Sequence, residues 1–334
     1  MPLPEYLLAY FCLMASVYSF SRDQLLGRHG LSARQVNALF ETEGLVESRE
    51  NKARELNKIA EFLRIGDLLQ SHKINFIPLK GPILSYRIYG DATVRKYCDL
   101  DVLVEPVFVL KAKELLSGIG YEPVGYTLPE NKTGQRIVLS HVHHILFTHN
   151  LHELRVELHW RLFQTPPVGI SKLSGLVDRN LSEILFADRS FRVFNNELEL
   201  LYLLLHGSIH NWRRLKWLTD VYELLNKDEI DWAKFNILAN ELRAGRLISL
   251  TNFMLSEYFP SGPSIPWKNE KTPFLNSYAI RKVSEPDEPE HETVEMKMSR
   301  LRFSLHSYPG LGYKLRRIGT AVIFYVYHLG GKSK

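Results

Sequence analysis

The sequence predicts an α+β protein: a small mixed β-sheet flanked by N- and C-terminal helical regions. Three observations predict it. Between residues 73 and 163, short apolar runs of period two alternate with helical stretches. On either side, leucines and other apolar residues recur at three- and four-residue spacings instead. Hydrophobic residues make up 45% of the 334-residue chain and charged residues 24%, which supplies a sizeable core and excludes a disordered or collagen-like chain.

The elements follow in order. Residues 1–72 read as an N-terminal helical region, and Asn51 to Gln70 places Leu56, Ile59, Ala60 and Leu63 at helical spacing with charges between them. Ile74 to Leu79 is a short β-like run, broken by Lys80-Gly81-Pro82. A short helix over Ile83 to Tyr89 ends at Gly90, and the strongly β-like Tyr97 to Val104 is stopped by Pro106. Val107 to Gly118 reads as an amphipathic helix using Leu110, Leu115 and Leu116. His143 to Thr148 and Arg155 to Trp160 are two further strands, joined by the polar turn Asn150 to Glu153. The order β-α-β-α-β-β makes residues 73–165 a compact sheet unit.

Residues 166–284 read as a helical domain, with leucines spaced for helices over Glu197–His206, Lys216–Leu225 and Asp231–Leu247. Residues 285–295 hold six acids and two prolines, the composition of a flexible acidic linker. Residues 296–334 form a basic C-terminal tail.

The net charge is +5, but residues 296–334 carry eight basic residues and no acid. Removing those eight charges leaves −3 for residues 1–295, so the body is slightly acidic. A nucleic-acid footprint needs a basic face on the folded body, and this balance argues against a nucleic-acid partner. The tail charge lies beside an apolar run and leaves open a peripheral membrane or other anionic contact through residues 296–334.

Two cysteines, Cys12 and Cys98, cannot build a disulfide framework or a four-thiolate zinc site. A reduced, cytoplasmic compartment is the simpler expectation. Leu7 to Tyr18 is apolar except for Ser16, yet no Lys or Arg precedes it and Glu5 does, which is wrong for a signal peptide. Ile318 to Leu329 is well short of the ~20 residues a spanning helix needs. Both read as packed helices.

The chemistry concentrates in Arg95-Lys-Tyr-Cys-Asp99-Leu-Asp101-Val-Leu-Val104. In a strand, Asp99 and Asp101 point the same way, while Leu100 and Val102 point into the core. Two carboxylates about 7 Å apart on a rigid strand repel each other unless a cation lies between them. Oxygen ligands of this kind suit Mg²⁺ or Mn²⁺. In isolation Asp-x-Asp also occurs as a solvated strand end, so a third acid matters. Glu157 supplies it from the alternating Arg155-Val-Glu157-Leu-His159-Trp160, and His159 shares its face. If that strand lies beside the Asp-x-Asp strand, three carboxylates converge as in a two-metal phosphoryl-transfer site.

Upstream, Lys80-Gly81 ends a strand and opens a helix. Glycine there lets backbone amides approach a phosphate, the helix N-terminus adds partial positive charge, and Lys80 can reach the same phosphates. Arg95 either neutralises phosphate or pairs with Asp99. His141, His143 and His144 cluster without a cysteine or a standard zinc spacing, which suits structural roles at a strand edge. His206 and His210 share a helix face at i, i+4 with no acidic motif beside them.

The order of these pieces resembles the bacterial nucleotidyltransferase family of the DNA polymerase β-like nucleotidyltransferase superfamily. Its pattern is Lys-Gly, then Arg-x-x-x-Asp-x-Asp followed by apolar residues, then Glu-Leu-His-Trp, and residues 73–163 carry all three parts. The resemblance continues more loosely through His206, His210 and Trp217-Leu-Thr-Asp220. It implies a small nucleotidyltransferase domain and metal-dependent transfer of a nucleoside monophosphate from an NTP, ATP among them, to a hydroxyl on a small molecule or protein, with release of pyrophosphate. Residue by residue, Gly81 matches the signature glycine, with Lys80 and Arg95 on the nucleotide side. Asp99 and Asp101 match the metal pair, and Glu157 the third acid, so these three are the catalytic and metal-binding residues expected.

The sequence departs from the superfamily at two places. Pro82 follows Gly81 and donates no backbone N–H, and the third acid is Glu rather than Asp. A catalytically weakened nucleotidyltransferase fold that binds nucleotide or a partner without turnover is therefore the alternative. A sugar-nucleotide glycosyltransferase also uses Asp-x-Asp, but places its apolar strand before the acids; here Val102-Leu103-Val104 follows them.

Overall fold

The computed structural model describes residues 17–125, 128–129, 131–152, 154–227, 229–286 and 293–330. The chain forms two compact units. One is Val46–Asn195; the other combines Met1–Leu45 with Asn196–Lys334.

The first helices are α1 (Arg22–Leu26), α2 (Ala33–Leu39) and α3 (Arg49–Ser71). The sheet region follows as β1 (Phe76–Pro78), α4 (Gly81–Tyr89), β2 (Asp99–Val104), α5 (Val109–Gly118), β3 (Tyr121–Val124), α6 (Lys132–His141), β4 (His144–His149) and β5 (Arg155–His159). Then come α7 (Ile170–Asp178), β6 (Leu181–Phe186) and β7 (Arg189–Phe194). The remaining helices are α8 (Asn196–Ile209), α9 (Leu215–Lys227), α10 (Trp232–Glu241), α11 (Gly245–Tyr258), α12 (Pro273–Ser284), α13 (Val294–Ser307) and α14 (Leu311–Gly330). The architecture is α+β, as the sequence predicts.

Unit Val46–Asn195 is built on a five-stranded mixed sheet in the order β1-β2-β5-β4-β3. The central pair β2 and β5 is parallel, and the other pairs are antiparallel. One face is the core. Leu100, Val102 and Val104 of β2, Val156 and Leu158 of β5, and Ile145 and Phe147 of β4 pack there with Phe62, Ile65 and Leu69 of α3 and Val109, Ala112 and Leu116 of α5. Strand alternation sends the intervening residues, including both acids of the Asp-x-Asp pair, to the opposite face. The Ser48 hydroxyl starts α3 by accepting from the Asn51 N–H at 3.1 Å.

Four elements were not anticipated. Strand β3 reads Tyr-Glu-Pro-Val, and Pro123 cannot donate to a ladder; it is tolerated because β3 is the edge strand. Helix α6 carries its three apolar residues consecutively, Ile137-Val138-Leu139, which marks no helical period. The segment 166–284, read as helical, contains the β6–β7 hairpin. Its two-residue turn, Ala187-Asp188, holds φ values of 49° and 58° without a glycine, so the usual hairpin signature is missing. Phe186, Phe191 and Val193 of this hairpin join the same core, with Phe191 lying 5.2 Å from Phe62 and 6.0 Å from Phe76 between ring centroids.

Unit Met1–Leu45 with Asn196–Lys334 is helical in its described residues. Helix α8 buries Leu198, Leu200, Leu201, Leu203, Leu204 and Leu205, and α9, α10 and α11 pack against it. The apolar stretch before Val17 and acidic residues 287–292 lie outside the described residues. The basic tail contributes most of α13 and all of α14, joined by the non-helical residues 308–310. Among the described residues, no helix is long and apolar enough to cross a membrane.

The core composition predicts which fragment folds. Residues 46–195 expressed alone should give a cooperative unfolding transition. Residues 73–165 should not, because that fragment omits α3 and the hairpin. In the full chain, Phe191→Ala should cost about 3–5 kcal/mol by denaturant titration. A cooperative transition for 73–165, or a negligible Phe191→Ala effect, would contradict this core.

Candidate active site

The pairing of β1, β2 and β5 assembles the site. Asp101 of β2 faces Glu157 of β5 in the parallel register, and His159 follows Glu157 by two residues on the same face. The Leu79 N–H donates to the Asp101 carbonyl at 3.0 Å, which carries the next residue, Lys80, to the Asp101 side chain. Lys80 Nζ lies 2.7 Å from Asp101 Oδ2. His159 Nε2 lies 3.2 Å from Asp101 Oδ1 and 3.2 Å from Glu157 Oε2. The result is a buried alternation of charge in which two cations of the chain stand beside two carboxylates.

Gly81 adopts φ +63°, a left-handed conformation that side chains other than glycine rarely take, and a Cβ there would meet Leu100 Cδ2 at 3.3 Å. This turn starts α4 immediately after Lys80. Pro82 falls in the first turn of α4, where amides have no intrahelical acceptor. The return loop is tied to α4 through Ser85, whose hydroxyl donates to the Asp91 carbonyl at 2.7 Å and accepts from the Arg95 N–H at 3.0 Å. Arg95 is buried.

Asp99 opens β2 and is more open to solvent. Its carboxylate is 37% exposed, against 5% for Asp101, and the Arg155 guanidinium lies 3.8 Å from it. Among the described residues, donor atoms within 4.8 Å of one another occur in two sets, Asp101–Glu157–His159 and His143–His144–His159. The structure thus brings Asp101, Glu157 and Lys80 together, with Gly81 adjoining Lys80. Asp99 stands in neither set.

The electrostatics follow from burial and partners. Burial alone would raise the Asp101 pKa, but the Lys80 ammonium and the His159 hydrogen bond outweigh it and hold the carboxyl well below its ordinary range. Burial would lower His159, yet its hydrogen bonds to Asp101 and Glu157 push it up to about 9. His143 is held well below the ordinary imidazole value by burial, then by its histidine neighbours.

The donor chemistry fits a hard divalent cation. Asp101 and Glu157 converge within a few ångströms, and the fold already places positive charge between them in the form of the His159 ring. Each carboxylate oxygen has two lone pairs, so the contacts to Lys80 and His159 leave acceptor capacity for a cation.

Sequence reasoning grouped His143 with His144 but missed the bridging place of His159 and the approach of both histidines to it. The signal was present in the alternation Glu157-x-His159 and in the paired histidines that begin β4. What was absent was the register that sets His144 opposite His159.

Residues 32–260 match the family described as uncharacterised nucleotidyltransferase. The chain belongs to that family. It is therefore a nucleotidyltransferase, and its Asp-x-Asp strand is not that of a glycosyltransferase. Among curated proteins, none matches the chain. Two solved structures are similar in part. The crystal structure of the lincomycin-bound lincosamide antibiotic adenylyltransferase LnuA is 19% identical, covering 49% of this chain and 94% of its own, with a TM-score of 0.35. The solution structure of the antibiotic-resistance factor ANT(2'')-Ia is 11% identical, covering 57% of this chain and 92% of its own, with a TM-score of 0.39. The family assignment rests on the match over residues 32–260 and not on these likenesses.

The charge arrangement makes stability depend on pH in the metal-free nucleotidyltransferase. His159 titrates near 9 when folded, against its ordinary 6.5. Its ion pairing therefore stabilises fully below about 6.5 and is lost as pH rises through 9, a contribution on the order of 1–3 kcal/mol. In the presence of chelator, the melting temperature should fall from pH 6.5 to 9.5 more steeply in the wild type than in His159→Gln. Equal slopes would contradict the bridging role.

Proposed function

We propose that this nucleotidyltransferase moves a nucleoside monophosphate from an NTP to a hydroxyl on a small molecule or a protein and releases pyrophosphate. Asp99, Asp101 and Glu157 are the proposed ligands of Mg²⁺ or Mn²⁺. The reading is carried by one observation: Asp101 and Glu157 meet across a parallel strand pair, with Lys80 and Gly81 at the same edge.

A divalent ion bound there would polarise phosphoryl oxygens and lower the pKa of the acceptor hydroxyl. The chain's own residues do the rest. Asp101 stays ionised at neutral pH because Lys80 and His159 favour its anion. Glu157, a quarter exposed, is accessible from solvent and is the proposed acceptor of the hydroxyl proton. The Gly81 backbone amide and the Lys80 ammonium stabilise the charge that develops on the leaving pyrophosphate. Arg95 is assigned to the phosphate side of the same cleft. Pro82 removes one donor from the first turn of α4, so Gly81 and Lys80 carry more of that role.

The test is conversion of each labelled NTP with Mg²⁺ and cell extract as acceptor source. Asp101→Asn should lower turnover by about 10²-fold or more, and it should also lower the melting temperature, because Lys80 and His159 lose their buried anion. Glu157→Gln should lower turnover more than it weakens nucleotide binding. Full Mg²⁺-dependent transfer by Asp101→Asn would contradict the assignment. Nucleotide binding without any NTP consumption by the wild type would favour the alternative of binding without turnover.

A second contact is favoured by helix α14. Leu311, Leu315, Ile318 and Val322 are exposed at spacings that set them on one helical face. Lys314 and Arg316 lie among them with no acid in the helix, while Arg317 Nε donates to Ser304 Oγ at 2.9 Å. We infer that this face rests on an anionic membrane surface, the apolar stripe entering and the cations meeting headgroups. The full chain should co-sediment with vesicles rich in anionic lipid at low salt and less at high salt, as the Debye length shortens. Leu315→Glu should abolish it. Absence of binding at low salt would refute the contact.

A further inference from the structure

A nitrogen-rich cluster adjoins the carboxylates. His143 and His144 are consecutive, at the start of β4, and His144 faces His159 across the β4–β5 pair. His143 Nε2 lies 3.2 Å from His144 Nδ1. The ring centroids of His143 and His144 are 5.5 Å and 4.9 Å from that of His159. One ring nitrogen from each of the three lies within 4.8 Å of the others.

Two features of His159 point to a ligand. Its Nε2 is engaged by Asp101 and Glu157, while its Nδ1 is buried with no hydrogen-bond partner, and the side chain is 8% exposed. A buried ring nitrogen left unpaired costs about 1–3 kcal/mol. The carboxylate–imidazole arrangement is also how proteins orient a ligating histidine: the carboxylate takes the N–H on one side and leaves the other nitrogen to the metal. Here that other nitrogen is the orphaned one.

The neighbouring strand supports the pair in place. Trp160 N–H donates to the His143 carbonyl at 3.0 Å, and Trp160 Nε1 donates to the Leu139 carbonyl at 3.0 Å. Arg161 Nη2 donates to the Leu139 and Val142 carbonyls. The junction between α6 and β4 is thus clamped by the two residues just after β5, Trp160 and Arg161. At Zn–N bonds of about 2.0–2.1 Å, cis ligands in a tetrahedral site lie about 3.3 Å apart. The His143–His144 separation matches that spacing.

We propose that His143, His144 and His159 form a second cation site, which takes a borderline transition ion such as Zn²⁺ through three imidazoles and leaves a coordination position open. Three nitrogen donors select against Mg²⁺, which prefers oxygen. The site differs in ligand chemistry from the carboxylate site but adjoins it: the two share His159, and His144 Nε2 lies 3.9 Å from Glu157 Oε2. Its existence does not depend on which acceptor the nucleotidyltransferase uses.

The test is titration of the metal-free full chain with Co²⁺, read by visible absorption, because Co²⁺ occupies nitrogen sites built for Zn²⁺ and has d–d bands. The wild type should bind one equivalent at this site, with bands that Zn²⁺ abolishes and excess Mg²⁺ does not. His144→Ala and the milder His143→Asn should each weaken that binding about tenfold or more while retaining the wild-type melting temperature without metal. Asp99→Asn should leave it unchanged. Co²⁺ binding that both histidine variants retain at wild-type affinity would overturn the proposal, and so would bands that Mg²⁺ removes. Because the readout is binding and not turnover, failure here leaves the nucleotidyl-transfer reading untouched.

Discussion

The parallel pairing of β2 with β5 is the constraint on which the rest depends. Parallel strands cannot be joined by a tight turn, so the chain must travel through α5, β3, α6 and β4 before β5 returns beside β2. That detour sets Asp101 opposite Glu157 and Val102 opposite Leu158. Because side chains alternate, the same register that completes the core on one face builds the polar cluster on the other. A shift of one residue would bury Asp101 in the core and expose Val102. Core packing and site geometry are therefore fixed by one set of hydrogen bonds.

The buried charge explains why the surroundings are so specific. Taking Asp101 out of water is costly unless it is paired and hydrogen-bonded. Lys80 and His159 supply both, and each arrives from a different element: Lys80 from the turn after β1, His159 from β5. Gly81 permits the turn that delivers Lys80, because its left-handed φ is strained for any residue with a Cβ. The proposed metal site needs carboxylates close together, and the compensating charge of Lys80 and His159 keeps the Asp101 carboxyl in its anionic form.

Much of this was legible in the sequence because it is local. The Asp-x-Asp strand, the acid of Glu157-Leu-His-Trp and the Lys80-Gly81 turn are each set by a few consecutive residues, and they identified the family correctly. What escaped was non-local or lacked its usual marker. Strand β3 was hidden by Pro123, which only an edge position allows. The β6–β7 hairpin was hidden by a turn that adopts positive φ at Ala187 and Asp188 without glycine or asparagine. His159 could be placed on the face of Glu157 by alternation, but its contact with Asp101 needed the interstrand register. The difference between a half-exposed Asp99 and a buried Asp101 likewise depends on where the strand ends within the sheet.

The central claim is that Asp101 and Glu157 together hold the ion that nucleotidyl transfer requires. The most direct measurement is a crystal structure of the full chain with Mn²⁺ and a non-hydrolysable NTP, with the ion located by its anomalous scattering. The account predicts a Mn²⁺ peak in direct contact with carboxylate oxygens of both residues, beside the phosphates and the Lys80-Gly81 turn. A nucleotide bound with its ion away from both carboxylates would contradict it.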